Sequence, residues 1–188
     1  MDQGLIPRRY AKALYKFAVE RGVADALYGV TGNVVKAFLE EPGLNKAMAN
    51  PFINGSDKES LLRTAAGLEQ QTDKAVVEVF DDFILLLRRN NRIPQVRDIA
   101  VAYRDIYRRE NHIYRVTVTS AAPMGSEEQA RLEGLIAKHL PANAKTEYRC
   151  EVNSGLIGGF TVSIDNDRLD ASVAGELDDL RRRLLSKS

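Results

Sequence analysis

Apolar positions in the first ~110 residues recur at helical spacing almost without interruption. Pro7 suits the first turn of a helix that runs to Glu20, and Gly22 stops it. A second helix is predicted over roughly 24–40, with Leu27, Val34, Val35 and Phe38 on one side and Pro42-Gly43 at its end. A short third segment carries Leu44 and Met48. Ser56 and Glu59 have the spacing of a capping box opening a fourth helix through Leu61, Leu62 and Ala65. A fifth runs from about Asp73 to Arg89, and Pro94 starts a sixth with Val96, Ile99, Tyr103, Ile106 and Tyr107 on a single stripe. Short links between such helices predict an antiparallel bundle.

The period changes at Glu110-Asn111. From Ile113 to Thr119 the residues alternate, with Tyr114, Val116 and Val118 on one face, as in a half-buried strand. Ser126 with Gln129 reads as the cap of a helix through Leu132, Leu135, Ile136 and Leu140. A second strand is predicted over 146–152 and a third through Phe160, Val162 and Ile164, joined by a hairpin turn in which Gly158 and Gly159 supply unusual backbone angles. A last helix would carry Val173, Leu177, Leu180 and Leu184. The expected fold is therefore a six-helix α-helical bundle, residues 1–110, followed by a small α/β domain of β-α-β-β-α order, residues 111–188.

Composition narrows the function classes. With 44% hydrophobic and 28% charged residues, the chain can bury a core without a disulfide or metal staple. Lys and Arg number 27 against 26 Asp and Glu, and neither half has a basic excess, so a phosphate-backbone partner is not expected. The longest apolar run, Phe83 to Leu87, is far short of the ~20 residues of a membrane span. The N-terminus lacks a signal-peptide pattern, and the single Cys150 reads as a buried structural thiol in a reducing compartment. A cytoplasmic chain without membrane insertion is expected.

Candidate chemistry is sparse. His112 falls at the domain junction and His139 near a helix end, and no HxxH or HExxH spacing offers a zinc site. The run Asn153 to Gly159 lacks the Lys-Ser/Thr of a phosphate loop. Asp165, Asp167 and Asp170 hint at a calcium loop, but the glycine and the closing glutamate are missing. A turn at 165–167, with Asp170 or Ser172 as a helix N-cap, is the simpler reading. No catalytic residue, cofactor or metal ligand is assigned.

What stands out is apolar surface beyond need. On helix one, Ala13, Ile6, Phe17, Tyr10 and Leu14 form one arc, which continues through Pro7, Ala18, Ala11, Tyr15 and Val19. Arg9, Lys12, Lys16 and Glu20 are left as a polar strip. A bundle helix needs a stripe of only ~100°. Helix five has a core face of Val76, Phe80, Phe83 and Leu87, widened by Val79 and Leu86 on one flank and by Val77 and Ile84 on the other. Either both helices are central in the bundle, or a groove between them receives a partner helix.

Four stretches in collinear order resemble one family. Arg8 to Gly22 (RRYAKALYKFAVERG) resembles the opening helix of the delta subunits of bacterial rotary F-type ATP synthases, whose family includes the mitochondrial oligomycin-sensitivity-conferring protein. Asn50-Pro51-Phe52-Ile53 with Lys58 and Leu61-Leu62, then Leu86-Leu87 with Asn90, Arg92 and Ile93, resemble its third-to-fourth junction and the end of its fifth helix. Gly155 to Leu180 (GLIGGFTVSIDNDRLDASVAGELDDL) resembles its most specific signature.

The resemblance implies a non-catalytic stator subunit that links the catalytic head to the peripheral stalk, at the cytoplasmic face of the cell membrane. It implies that Tyr10, Ala13 and Leu14 of helix one, with Val79, Phe83 and Leu86 of helix five, line a groove for the N-terminal helix of an alpha subunit. It also implies that the C-terminal domain holds the b subunits, with Gly158, Gly159, Val173, Leu177 and Leu180 as candidate contacts. A generic cytoplasmic helical adaptor, a small metal-dependent enzyme and an RNA-binding bundle are the competing readings.

Overall fold

The computed structural model describes residues 4–172 apart from positions 72, 142, 157 and 166. The chain divides into two compact units, Met1–Arg108 and Arg109–Ser188.

The first unit is a helical bundle. Helix α1 (Leu5–Glu20) ends where Gly22 takes φ +70°, and the Val23 N–H closes back on the Ala18 carbonyl at 2.9 Å. Helix α2 (Ala24–Glu40) buries Leu27, Val30, Val34 and Phe38. Pro42 opens a helix of its own, α3 (Pro42–Ala49), at a position where its missing N–H costs nothing. Helix α4 (Gly55–Ala66) closes on Gly67 at φ +71°. Helix α5 (Lys74–Arg89) is capped by Asp73, whose Oδ1 accepts the Ala75 N–H at 2.9 Å. A 3₁₀ turn, Ile93–Gln95, leads into α6 (Val96–Glu110).

Ser56 and Glu59 do not form the expected capping box. Asn54 stands at the N-cap and the helix has already begun at Gly55. The Ser56 carbonyl accepts the Ser60 hydroxyl at 3.1 Å, and the Glu59 carboxylate pairs with Arg88 of α5 at 3.1 Å. A side chain at position 55 would meet the Arg88 Cδ at 2.7 Å, so Gly55 leaves room for the arm that reaches Glu59. The tertiary ion pair takes the carboxylate that a local cap would have used.

Tyrosines pin α1 and α6 to the start of α2. Tyr103 donates its hydroxyl to the Ala24 carbonyl at 2.9 Å, and Tyr107 donates to Asp25 Oδ1 at 2.7 Å. Tyr15 meets both rings edge-on, with centroids 6.1 and 6.3 Å away. Burial, then the hydrogen bond to Asp25, pushes the Tyr107 phenol up to about 12, and burial raises Tyr103 as well. Both values lie above the ordinary 10.0, so the stability these groups contribute is complete below pH 10 and is lost as pH rises toward about 12. A titration followed by tyrosinate absorbance and far-ultraviolet dichroism is expected to show phenol ionisation coupled to helix loss in that window. In Tyr107→Phe the fall of unfolding free energy with pH becomes one proton shallower; an unchanged slope contradicts the assignment.

Among the described residues the second unit is a mixed four-stranded sheet in the order β2-β1-β3-β4, packed against a helix. Strand β1 (Ile113–Ser120) lies parallel to β2 (Lys145–Val152), and α7 (Ser126–His139) makes the crossover that parallel pairing requires. Leu132 and Ile136 of α7 close the core over Val116, Val118 and Val162. Strand β3 (Gly159–Ile164) pairs antiparallel with the other edge of β1, and β4 (Asp167–Ser172) pairs antiparallel with β3.

The second unit departs from the sequence expectations at four places. Residues 153–158 do not make a hairpin, because β2 and β3 flank β1 on opposite sides and their link passes the end of β1. The Asn153 N–H donates to the Ser120 carbonyl at 2.8 Å, and Ala121 donates to Gly159 at 3.3 Å. Asp170 is no helix cap, since it sits inside β4 opposite Thr161. The cap of α7 is Gly125, whose N–H donates to Glu128 Oε2 at 3.2 Å, and Ser126 is already helical. Cys150 is exposed, on the edge strand β2, rather than buried. The expected turn does occur at Asp165, which has φ +49° and accepts the Arg115 N–H through its carboxylate at 3.1 Å. The last predicted helix, with Val173, Leu177, Leu180 and Leu184, lies outside the described residues.

Candidate functional site

Helices α1 and α5 pack side by side and leave an open trough between them. On α1, Ile6, Tyr10, Ala13 and Phe17 follow at intervals of four, three and four, so they share a face. On α5, Val79, Phe83 and Leu86 do the same. One hollow of about 400 Å³ is lined by Ile6, Arg9, Tyr10, Ala13, Leu86 and Arg92. A second, of about 190 Å³, is lined by Ala13, Leu14, Phe17, Val79, Asp82, Phe83 and Leu86. Ala13 and Leu86 belong to both, so the two hollows form one continuous trough.

The small side chain of Ala13 keeps it open. Leu14, Val79 and Phe83 form a buried floor, whereas Leu86 stands 44% exposed as an apolar lip. Tyr10, Ile6 and Phe17 are half-buried on the facing wall. Helix five therefore opens along its Val79–Leu86 flank, while Ile84 on the other flank is sealed in the core. Of the second arc of α1, Pro7, Ala11 and Ala18 are buried by the bundle itself.

All six residues expected at the groove line this trough: Tyr10, Ala13, Leu14, Val79, Phe83 and Leu86. Five lining residues were missing from that set. Ile6 and Phe17 lie on the same arc of α1 as Tyr10 and Ala13, so the helical wheel carried the signal. Arg9 and Asp82 are the polar neighbours of that arc and of the α5 flank. Arg92 gave no periodic signal, because it follows α5 and is brought back by the chain reversal at Asn91, φ +55°, where the Arg92 N–H donates to the Leu87 carbonyl at 2.7 Å. At the far end the Arg21 guanidinium lies over the Phe17 ring, 5.1 Å from its centroid.

In the second unit, Gly159 opens β3 at φ +77°, a conformation that favours glycine, and Gly158 is half-buried beside it. Val173, Leu177 and Leu180 lie outside the described residues. A polar hollow of about 520 Å³ faces Thr119, Glu151, Thr161 and Ser163. The register puts these on the sheet face opposite Val118 and Val162, hence opposite α7. Among the described residues no three His, Cys, Asp or Glu side chains gather into a metal-binding group, and no helix is long and apolar enough to cross a membrane.

Comparison with known proteins covers nearly the whole chain. Residues 6–184 match the family described as ATP synthase delta (OSCP) subunit. An ATP synthase subunit delta of Bacteroides thetaiotaomicron is 32% identical over 188 residues, all of this chain and 98% of its own length. One from Parabacteroides distasonis is 34% identical over 185 residues, 98% of each chain. One from Bacillus licheniformis is 30% identical over 188 residues, with 100% and 98% covered. Among solved structures, a chain of the Toxoplasma gondii mitochondrial ATP synthase hexamer shares the fold. Its TM-score is 0.72 at 20% identity, over 95% of this chain and 97% of that one.

Proposed function

The chain belongs to the ATP synthase delta (OSCP) subunit family, and on that premise we propose that its α1–α5 trough seats the amphipathic N-terminal helix of an alpha subunit while its C-terminal unit holds the b subunits. It is a non-catalytic stator subunit of the F-type ATP synthase, peripheral to that complex, and its partners are other subunits of the complex. In the cell this corresponds to the cytoplasmic face of the membrane.

The observation that carries the reading is the trough itself. Its floor and lip are apolar, it is open to solvent, and it has the form in which an amphipathic helix lays its i, i+3, i+4 and i+7 anchors. Rotation of a central rotor within the head demands an equal and opposite holding torque, so the useful property is an interface that does not release during a cycle. A contact burying about 1,200–2,000 Å² holds that firmly when its centre is apolar and well packed. The C-terminal segment carrying Val173, Leu177 and Leu180, together with Gly158 and Gly159, is the proposed contact for the stalk.

The test is titration of the full chain with a peptide of the alpha N-terminus from the same organism, followed by calorimetry and amide chemical shifts. Saturable one-to-one binding, with shifts centred on Tyr10, Ala13, Val79 and Leu86, is expected. Binding that leaves those amides unmoved, or no binding, refutes the groove assignment. A tagged chain is also expected to retain alpha and b subunits from solubilised membranes.

A further inference from the structure

The trough is apolar along its floor but differs in charge from end to end. Ile6 and Tyr10 share a hollow with Leu86 and Arg92, whereas Phe17 shares one with Val79 and Asp82. Helices α1 and α5 therefore run antiparallel along it, and its two ends are chemically distinct. At the end formed by the start of α1 and the chain just past α5, Arg9 and Arg92 line the hollow together. At the other end the lining charge is Asp82. Arg21 also stands at that end, engaged over the Phe17 ring. Among the described residues neither Arg9, Arg92 nor Asp82 is in an ion pair, so no described side chain neutralises these charges.

A docked helix brings its own polarity, about half a positive charge at its N-terminus and half a negative charge at its C-terminus. We infer that Arg9 and Arg92, with Asp82 opposite, are orientation-determining residues: they seat the C-terminal end of the partner helix at the arginine end of the trough. This rests on the trough being the alpha-helix site. The partner helix then lies antiparallel to α1 and parallel to α5. The apolar floor supplies affinity in either direction, because side-chain burial carries little directional information. The rim charges supply the direction, the usual division of labour at an interface.

Two measurements on the full chain with the alpha N-terminal peptide test this. A nitroxide placed at the peptide's C-terminus is expected to broaden the amides of Ile6 and Tyr10 more than those of Phe17 and Val79, and a nitroxide at its N-terminus to do the reverse. The opposite pattern, or equal broadening at both ends, overturns the inference while leaving the groove assignment standing. The absence of any peptide binding overturns the groove assignment and this inference with it.

The second measurement compares Arg9→Glu/Arg92→Glu with Arg8→Glu/Lys46→Glu, which makes the same change in net charge at residues outside the trough lining. The first pair is expected to weaken binding roughly tenfold at low salt and much less at high salt. The second is expected to change it by less than about twofold. Equal weakening by both pairs assigns the effect to overall charge and overturns the role of the arginines.

Discussion

Replacing Leu86 with aspartate is expected to weaken binding of the alpha N-terminal peptide about a hundredfold, the range of an interface hot spot, while the free chain stays folded. The two halves of that expectation have separate causes. Leu86 is 44% exposed on α5 and lines both hollows, so in the free chain it contributes little to the core and much to the trough. Leucine to aspartate on an exposed helical site costs about half a kcal/mol in propensity, with a few tenths more for an acid in the last turn of a helix. In the proposed complex the new carboxylate would lie where an apolar partner side chain packs, and burying it unpaired is far costlier. Asp82, one helical turn earlier, repels it further. Arg9 and Arg92 line the same hollow and draw the carboxylate toward the surface, which helps the free chain and leaves the centre of the contact unfilled. Leu86→Ala separates the terms: it loses buried area without adding charge, and about a tenfold loss is expected. A Leu86→Asp chain that is folded and binds as before shows that the lip is not part of the interface.

Much of this was legible before any coordinates. The boundaries of α2 fall at residues 24 and 40 as the periodicity predicts, because Gly22 and Pro42 act through their own backbones. The trough was legible as an excess. An arc on α1 and two flanks on α5 were more apolar than a bundle surface needs, and the structure leaves one flank open at Leu86 and seals the other at Ile84. Sequence could not choose between the flanks, because the choice depends on how α5 is rotated against its neighbours.

Most of the features that were misread share a cause: each depended on a partner distant along the chain. Glu59 had the spacing of a local cap, but Arg88, 29 residues away, claims its carboxylate. The glycines after β2 looked like a hairpin. However, β1 accepts β2 on one edge and β3 on the other, and local turn residues do not encode strand order. Cys150 falls on β2 opposite the buried Val118, and pairing with a core residue did not bury it, because β2 is an edge strand. Arg92 enters the trough only through a chain reversal at an asparagine, a feature with no periodicity to read.

A core substitution on the same helix is expected to behave in the opposite way. Phe80 is 2% exposed and is absent from the lining of both hollows. Phe80→Ala is expected to cost about 3–5 kcal/mol, from lost transfer energy and the cavity left behind. Against the 5–15 kcal/mol typical of a whole domain, that is enough to populate the unfolded state on mild heating or in low urea. Its effect on binding is indirect. The peptide binds only folded chain, so the apparent affinity falls in proportion to the folded fraction, and excess peptide restores the structure by mass action. Thermal melts with and without peptide therefore separate the two variants. Phe80→Ala is expected to melt far below the parent chain and to rise by several degrees when peptide is added. Leu86→Asp is expected to melt close to the parent chain and to gain almost nothing from the same peptide. If Phe80→Ala loses the peptide-induced rise while still folded, the floor beneath the trough is itself part of the contact, and the division of α5 into a core face and a docking face fails.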